Sequence, residues 1–172
     1  MTDWNEIVSA HQSKLWRTAY RILANRDDSL ECCQEALLDA YRYSQENSID
    51  NWDGLLVSLT ARRAIDRLRQ RVRRRDKEVG IEHVEEPTTL STSPIANAEA
   101  SELVEQLREA IREIPVKQSR VFWLCCVEGL SHEDISRHLQ ISINESRVLL
   151  HRARSRLANS MAQLNTNARS QK

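Results

Sequence analysis

Apolar residues in this chain recur every three or four positions, and no run alternates with the period of two that a half-buried strand requires, so the pattern predicts helices throughout. The first two dozen residues carry a broken stripe of Trp4, Val8, Leu15, Ala19 and Ile22. Asn25 to Asp28 reads as a turn with a helix cap. The helix that follows, about 28–43, lines up Leu30, Cys33, Leu37 and Ala40 on one side and Glu31, Gln34, Glu35 and Asp39 on the other. After a polar loop from Ser44, Asp50 or Asn51 caps a long helix to about Arg75. Val57, Ala61, Ile65, Leu68 and Val72 point inward from it, and arginines fill its other faces. Further on, Leu103, Leu107, Ala110 and Ile111 form a stripe that stops before Pro115. The apolar segment Val116–Glu128 follows, closed by Gly129.

The clearest pattern is SHEDISRHLQISINESRVLLHRARSRL, from Ser131 to Leu157. Ser131 stands three residues before Asp134, and Ser142 three before Glu145. Both are capping-box spacings, which start two short helices around a tight turn. Ile143, Ser146, Leu150, Ala153 and Leu157 share one face of the second helix. Asn144, Glu145, Val148, His151, Arg152 and Ser155 share the opposite face, flanked by Arg147 and Arg154. An apolar back with an arginine-rich front suits a helix lying in a DNA major groove, where Arg bonds a guanine edge or a phosphate. The plainer reading is a helical hairpin with a solvated basic face.

Composition agrees with an all-α chain: there are three glycines and three prolines in 172 residues. The formal net charge is zero but segregated. From Arg62 to Lys77, nine basic residues face two acidic ones, a net of +7. From Glu78 to Glu105 there are seven glutamates and no Lys or Arg, a net of −7. Local basic surface attracts polyanions whatever the total is. Residues 76–97, low in apolar content and one-sided in charge, read as a flexible acidic linker. It separates two small helical domains, 1–75 and 98–164, the second containing the helix-turn-helix. The polar tail Asn165–Lys172 reads as disordered.

No signal peptide and no membrane span is expected, which points to a cytoplasmic protein without membrane insertion. The adjacent pairs Cys32–Cys33 and Cys125–Cys126 read as reduced, mostly buried thiols; a zinc site using one thiol from each pair plus a histidine is the alternative. Neither a metal nor a cofactor is expected. Tyr41, Tyr43 and Trp52 precede the basic helix. Such rings either stack on nucleic-acid bases beside the arginines or, in the case of Trp52, pack against the first helices. No glycine-rich phosphate loop or nucleophile constellation suggests an enzyme, so no catalytic residue is assigned.

Taken together, these segments resemble the two-domain sigma factors of bacterial RNA polymerase, the extracytoplasmic-function group. The resemblance rests on REIPVKQSRVFWLCCVEGLSHEDISRHLQISINESRVLLHRARSRL in the second half. In the first half it rests on LWRTAYRILANRDDSLECCQEALLDAY and ARRAIDRLRQRVRRR. It implies that Glu31, Gln34, Glu35 and Asp39 dock on core polymerase. It implies that the loop ending at Trp52 and the helix beginning there, with Arg62, Arg63, Arg67 and Arg69, read and melt the minus-ten promoter box. It also implies that Asn144, Arg147, Val148, His151 and Arg152 face the minus-thirty-five box. Core RNA polymerase and promoter DNA are the implied partners, with an anti-sigma factor common in the group. The rival reading is a stand-alone helix-turn-helix regulator.

Two departures from the family pattern bear on the turn and the second helix. Gln140 stands where the family usually has glycine, so the turn is expected to be reshaped. Glu145-Ser146 replaces Thr-Val, which puts a hydroxyl where a core methyl is usual.

Overall fold

A computed structural model describes residues 3–75 and 94–170, with side chains at 3–71 and 102–163. Among the described residues seven α-helices follow one another: α1 (Trp4–Leu23), α2 (Arg26–Glu46), α3 (Trp52–Arg75), α4 (Pro94–Glu113), α5 (Val116–Phe122), α6 (His132–Leu139) and α7 (Ile143–Ser170). A π-helical segment, Trp123–Val127, continues α5. No strand occurs among the described residues.

Side-chain caps start most of these helices, where the first backbone N–H groups lack partners. Asp3 accepts from Asn5 N–H at 2.9 Å, Asn25 from Asp28 at 2.8 Å, and Asn51 from Gly54 at 2.9 Å. Asn51, rather than Asp50, therefore caps α3. Ser131 accepts from Asp134 N–H at 3.1 Å and Ser142 from Glu145 N–H at 3.0 Å, so both serine caps form as the spacing predicts. The Asp134 carboxylate takes a hydrogen bond from the Ser131 hydroxyl at 2.7 Å instead of reaching back to the backbone.

In the first half, α1 and α2 both pack on α3. Leu15, Ala19 and Ile22 of α1 and Val57, Ala61, Ile65 and Leu68 of α3 are buried as the stripes predict; the side chain of Val72 lies outside the described residues. Helix α2 is turned from the expected face. It presents Ser29, Cys32, Cys33, Ala36 and Ala40 inward and leaves Leu30 45% exposed. Small residues one turn apart let two helix axes approach closely, and that contact prevails over the longer leucines.

In the second half, Ile111 of α4, Ile114 just after it, Val121 and Leu124, Ile135 of α6, and Leu150, Ala153 and Leu157 of α7 are buried. In the π segment Glu128 N–H bonds Trp123 C=O at 3.1 Å, and Leu130 N–H bonds Leu124 C=O at 2.9 Å. This widened turn, followed by Gly129 at φ 73°, ends the helix the sequence assigned to Val116–Glu128.

The two halves meet through α3, whose far side packs on α5, the π segment and α6, so one apolar cluster runs through both. At Gly54 a Cβ would lie 2.9 Å from both His138 Nε2 and Asn51 Nδ2, so any larger residue would require these side chains to shift. Polar contacts cross the same seam. Arg120 Nη2 binds both Asp66 oxygens at 2.7 and 2.8 Å, and Arg69 donates to the Ile114 carbonyl at 2.6 Å, near the end of α4. Thr18 donates to Glu128 at 3.0 Å.

Helix α4 begins at Pro94, within the expected linker, because proline suits the first helical position, where its missing N–H costs nothing. Residues 76–93, the rest of that segment, lie outside the described residues. At the other end α7 continues to Ser170 through a stretch expected to be disordered; neither glycine nor proline interrupts it.

The turn between α6 and α7 keeps its left-handed residue. Gln140 sits at φ 53° and ψ 48°, donating its N–H to Ser136 C=O, so the turn is not reshaped despite the missing glycine. That conformation costs a residue with a Cβ about 1 kcal/mol. Gln140→Gly is therefore expected to raise stability by about 0.5–1 kcal/mol, or about 1–4 °C in Tm, by thermal melting. A lowered Tm would show that the turn is unstrained.

Candidate nucleic-acid interface and docking face

Three surfaces carry the residues singled out in the sequence. The first is the solvent face of α7. Ser146, Leu150, Ala153 and Leu157 hold the helix against α4, α5 and α6, while Asn144, Arg147, Val148, His151 and Arg152 stand exposed. All five predicted residues thus share one accessible face. Ile143, expected inward, is 40% exposed at the first turn, before the helix has reached its neighbours. Ser146 is fully buried, and its hydroxyl is matched by His132 Nδ1 at 2.9 Å, so the polar atom in place of a methyl is not left unpaired.

The second surface is aromatic. Trp4 meets Tyr41 at 5.2 Å and Trp52 at 5.8 Å between ring centroids, both edge-on. Together with Ser44, Asn47 and Ile49 these rings line a cleft of about 320 Å³. Trp52 therefore packs against the first helix and also borders an opening. Trp4 belongs to this cluster although nothing in its spacing relates it to Trp52.

The third surface joins two sets that the sequence kept apart. Arg63 donates from Nε to Asp39 at 2.9 Å and pairs with Glu35 at 3.4 Å. Arg67 pairs with Glu31 at 2.9 Å and Glu35 at 3.2 Å, and donates to the Asp28 carbonyl at 3.2 Å. Arg71 pairs with Asp28. The Asp39 hydrogen bond is the main reason the Arg63 pKa is raised above its usual value. Of the expected docking residues Glu31, Gln34, Glu35 and Asp39, only Gln34 takes no part in this ladder. Of the four expected DNA-contacting arginines, only Arg62 stands exposed and without an ion pair among the described residues. Half-exposed pairs of this kind contribute about 0.2–1 kcal/mol each.

The cysteines divide by pair. Burial raises the Cys32 thiol to about 12 and Cys33 to about 11. Cys126, expected to be mostly buried, is exposed, 3.4 Å from Arg154 Nη2, and Cys125 is half-buried.

Comparison with known proteins gives this arrangement its family. The model of sigma-70 region 2 matches residues 7–74, and that of sigma-70 region 4 matches residues 104–157. The chain belongs to the sigma-70 family. It is 28% identical over 162 residues to the ECF RNA polymerase sigma factor SigE of Mycolicibacterium smegmatis. That match covers 94% of this chain, which spans 63% of the length of that relative. The fold resembles sigma factor RpoE of Bartonella quintana, solved in complex with the anti-sigma factor NepR. That likeness has a TM-score of 0.62 and 18% identity, covering 94% of this chain and 98% of the other. It also resembles the extracytoplasmic function sigma factor SigJ of Mycobacterium tuberculosis, with a TM-score of 0.51 and 18% identity over 86% of this chain and 50% of that one. Among the described residues no helix is long and apolar enough to cross a membrane.

One histidine sits at the seam between the region 2 and region 4 halves. His138 Nε2 is buried without a hydrogen-bond partner among the described residues, close to Gly54. Burial lowers its pKa below 6.5, with Asp134 opposing the shift and Arg137 adding to it. Below about pH 6.5 the unfolded chain thus binds a proton that the folded chain resists, and stability falls as pH falls. The Tm of wild type should drop between pH 7 and 5 by more than that of His138→Gln. Equal drops in thermal melts would exclude His138 as the cause.

Proposed function

We propose that this protein is a sigma factor of the extracytoplasmic-function type, which binds core RNA polymerase, carries it to a promoter and helps open the duplex. One observation carries the reading: the five exposed residues of α7 form a basic face on a capped helix-turn-helix, in a chain that also bears region 2 with its carboxylate helix. Asn144, Arg147, Val148, His151 and Arg152 would face the minus-thirty-five box. There Arg can bond a guanine edge in two places and Val148 can meet a thymine methyl. Trp52 and Arg62 would meet the minus-ten box, and Arg63, Arg67 and Arg69 would join them when their present partners release them. Glu31, Gln34, Glu35 and Asp39 would dock on core polymerase.

Domain bounds of 1–75 and 98–164 serve this division of tasks, with the observed α4 extending the second to Pro94. The protein performs no chemical step of its own in this scheme and acts in the cytoplasm, where polymerase is. The solved complex of RpoE with NepR supports an anti-sigma protein as a further partner.

Reconstituted transcription with core polymerase, after mapping of the promoters bound, tests the reading. Arg152→Ala is expected to lower transcription from a mapped promoter about tenfold and to relax base preference in the upstream box. Transcription equal to wild type would remove Arg152 from that role. Failure of the wild-type chain to bind core polymerase, with promoter binding retained, would favour a stand-alone regulator.

A further inference from the structure

The carboxylates of α2 and the guanidiniums of α3 form two facing rows in opposite order. Asp39 meets Arg63, Glu35 bridges Arg63 and Arg67, Glu31 meets Arg67, and Asp28 meets Arg67 and Arg71. The spacing 63, 67, 71 puts the three arginines on one stripe of α3, and 28, 31, 35, 39 does the same for the acids of α2. Under the proposed function, one row belongs to polymerase and the other to DNA. In the free protein each row occupies the other.

We propose that this ladder is an internal competitor that holds Arg63 and Arg67 off nucleic acid until polymerase engages the α2 carboxylates. The inference rests on the functional reading above and adds a coupling between its two binding events. The carboxylates stand where phosphates would stand, binding the same guanidinium N–H groups through the same charge-assisted hydrogen bonds. The ladder is open enough to exchange. The side chains of Arg63 and Glu31 are 41% and 62% exposed, so water can replace either partner during the swap. A partner that recognises this acidic row must bring positive charge to it, which both satisfies the carboxylates and repels the arginines. Because the closed ladder opposes both partners, binding of one removes a cost from the other, and the coupling is reciprocal. Asp28 and Arg71, outside both predicted sets, extend the ladder by a turn and belong to the same device.

The experiment uses the full chain without polymerase and a fluorescent 20-nucleotide single-stranded DNA of mixed sequence, with affinity read by anisotropy across a range of KCl. The Glu35→Gln/Asp39→Asn variant should bind about tenfold tighter. Its slope of log K against log salt should steepen by about 1.4, since each further phosphate contact on a single strand adds about 0.7. In an Arg63→Gln/Arg67→Gln background the same two substitutions should give no gain. Unchanged affinity and slope in Glu35→Gln/Asp39→Asn would overturn the proposal. So would a gain that persists without the arginines, because that would reflect net charge alone. Circular dichroism checks folding; should the double acid variant be unfolded, Asp39→Asn with and without Arg63→Gln carries the same cycle. Wild-type chain that fails to bind core polymerase would overturn the functional reading and the exchange together. Normal polymerase binding with no gain in the cycle would overturn the exchange alone.

Discussion

Helix α3 has almost no solvent side in its middle, and the rest of the molecule is arranged around that burial. Gly54 to Ser58, Thr60, Ala61, Ala64, Ile65 and Leu68 are all buried, because α1 and α2 cover one flank and α5, the π segment and α6 cover the other. A helix buried all round cannot keep its long side chains where a two-sided helical wheel would put them. Its arginines emerge only along the narrow margins between neighbours, where they meet groups belonging to those neighbours. Arg63 and Arg67 emerge beside α2 and find its carboxylates. Arg69 emerges beside the end of α4 and serves carbonyls that the helix terminus leaves unpaired.

The same burial decides which parts of the molecule could be read in advance. The face of α7 was legible because α7 packs on one side only: a period of 3.6 with one apolar stripe has a single solution, and Asn144 through Arg152 fall where it puts them. The serine and asparagine caps were legible because a cap is a local event, complete within four residues. The partners of Arg63 and Arg67 were not, since they lie 24 to 36 residues away on another helix and only packing brings them together. The outward turn of Leu30 had the same cause, for the contact that selects Cys32 and Ala36 lies on α3. The π segment left no signal in the apolar run WLCCV, whose composition suits an α-helix equally well. At Gln140 the sequence suggested a changed turn, and the fold kept the turn and accepted the strain, because both flanking helices are fixed by buried Ile135 and Leu150.

Charge shows most clearly how far order along the chain departs from order in space. Along the sequence, the basic run from Arg62 to Lys77 is followed by an acidic run of equal and opposite charge, as if the two neutralised each other. In the described residues Arg63, Arg67 and Arg71 of that run pair instead with Asp28, Glu31, Glu35 and Asp39 of α2, more than twenty residues earlier, while Asp66, within the run, ties to Arg120 across the seam. The acidic run is thus not required to neutralise the first part of the basic one. The zero total of the chain conceals a paired region 2 and a basic face on α7 whose Arg147 and Arg152 carry no ion pair among the described residues. Of the two surfaces, then, that of α7 leaves Arg147 and Arg152 unpaired among the described residues, whereas on α3 only Arg62 stands so. On α3, Arg63 and Arg67 already hold carboxylates, which bind a guanidinium through the same charge-assisted hydrogen bonds as a phosphate.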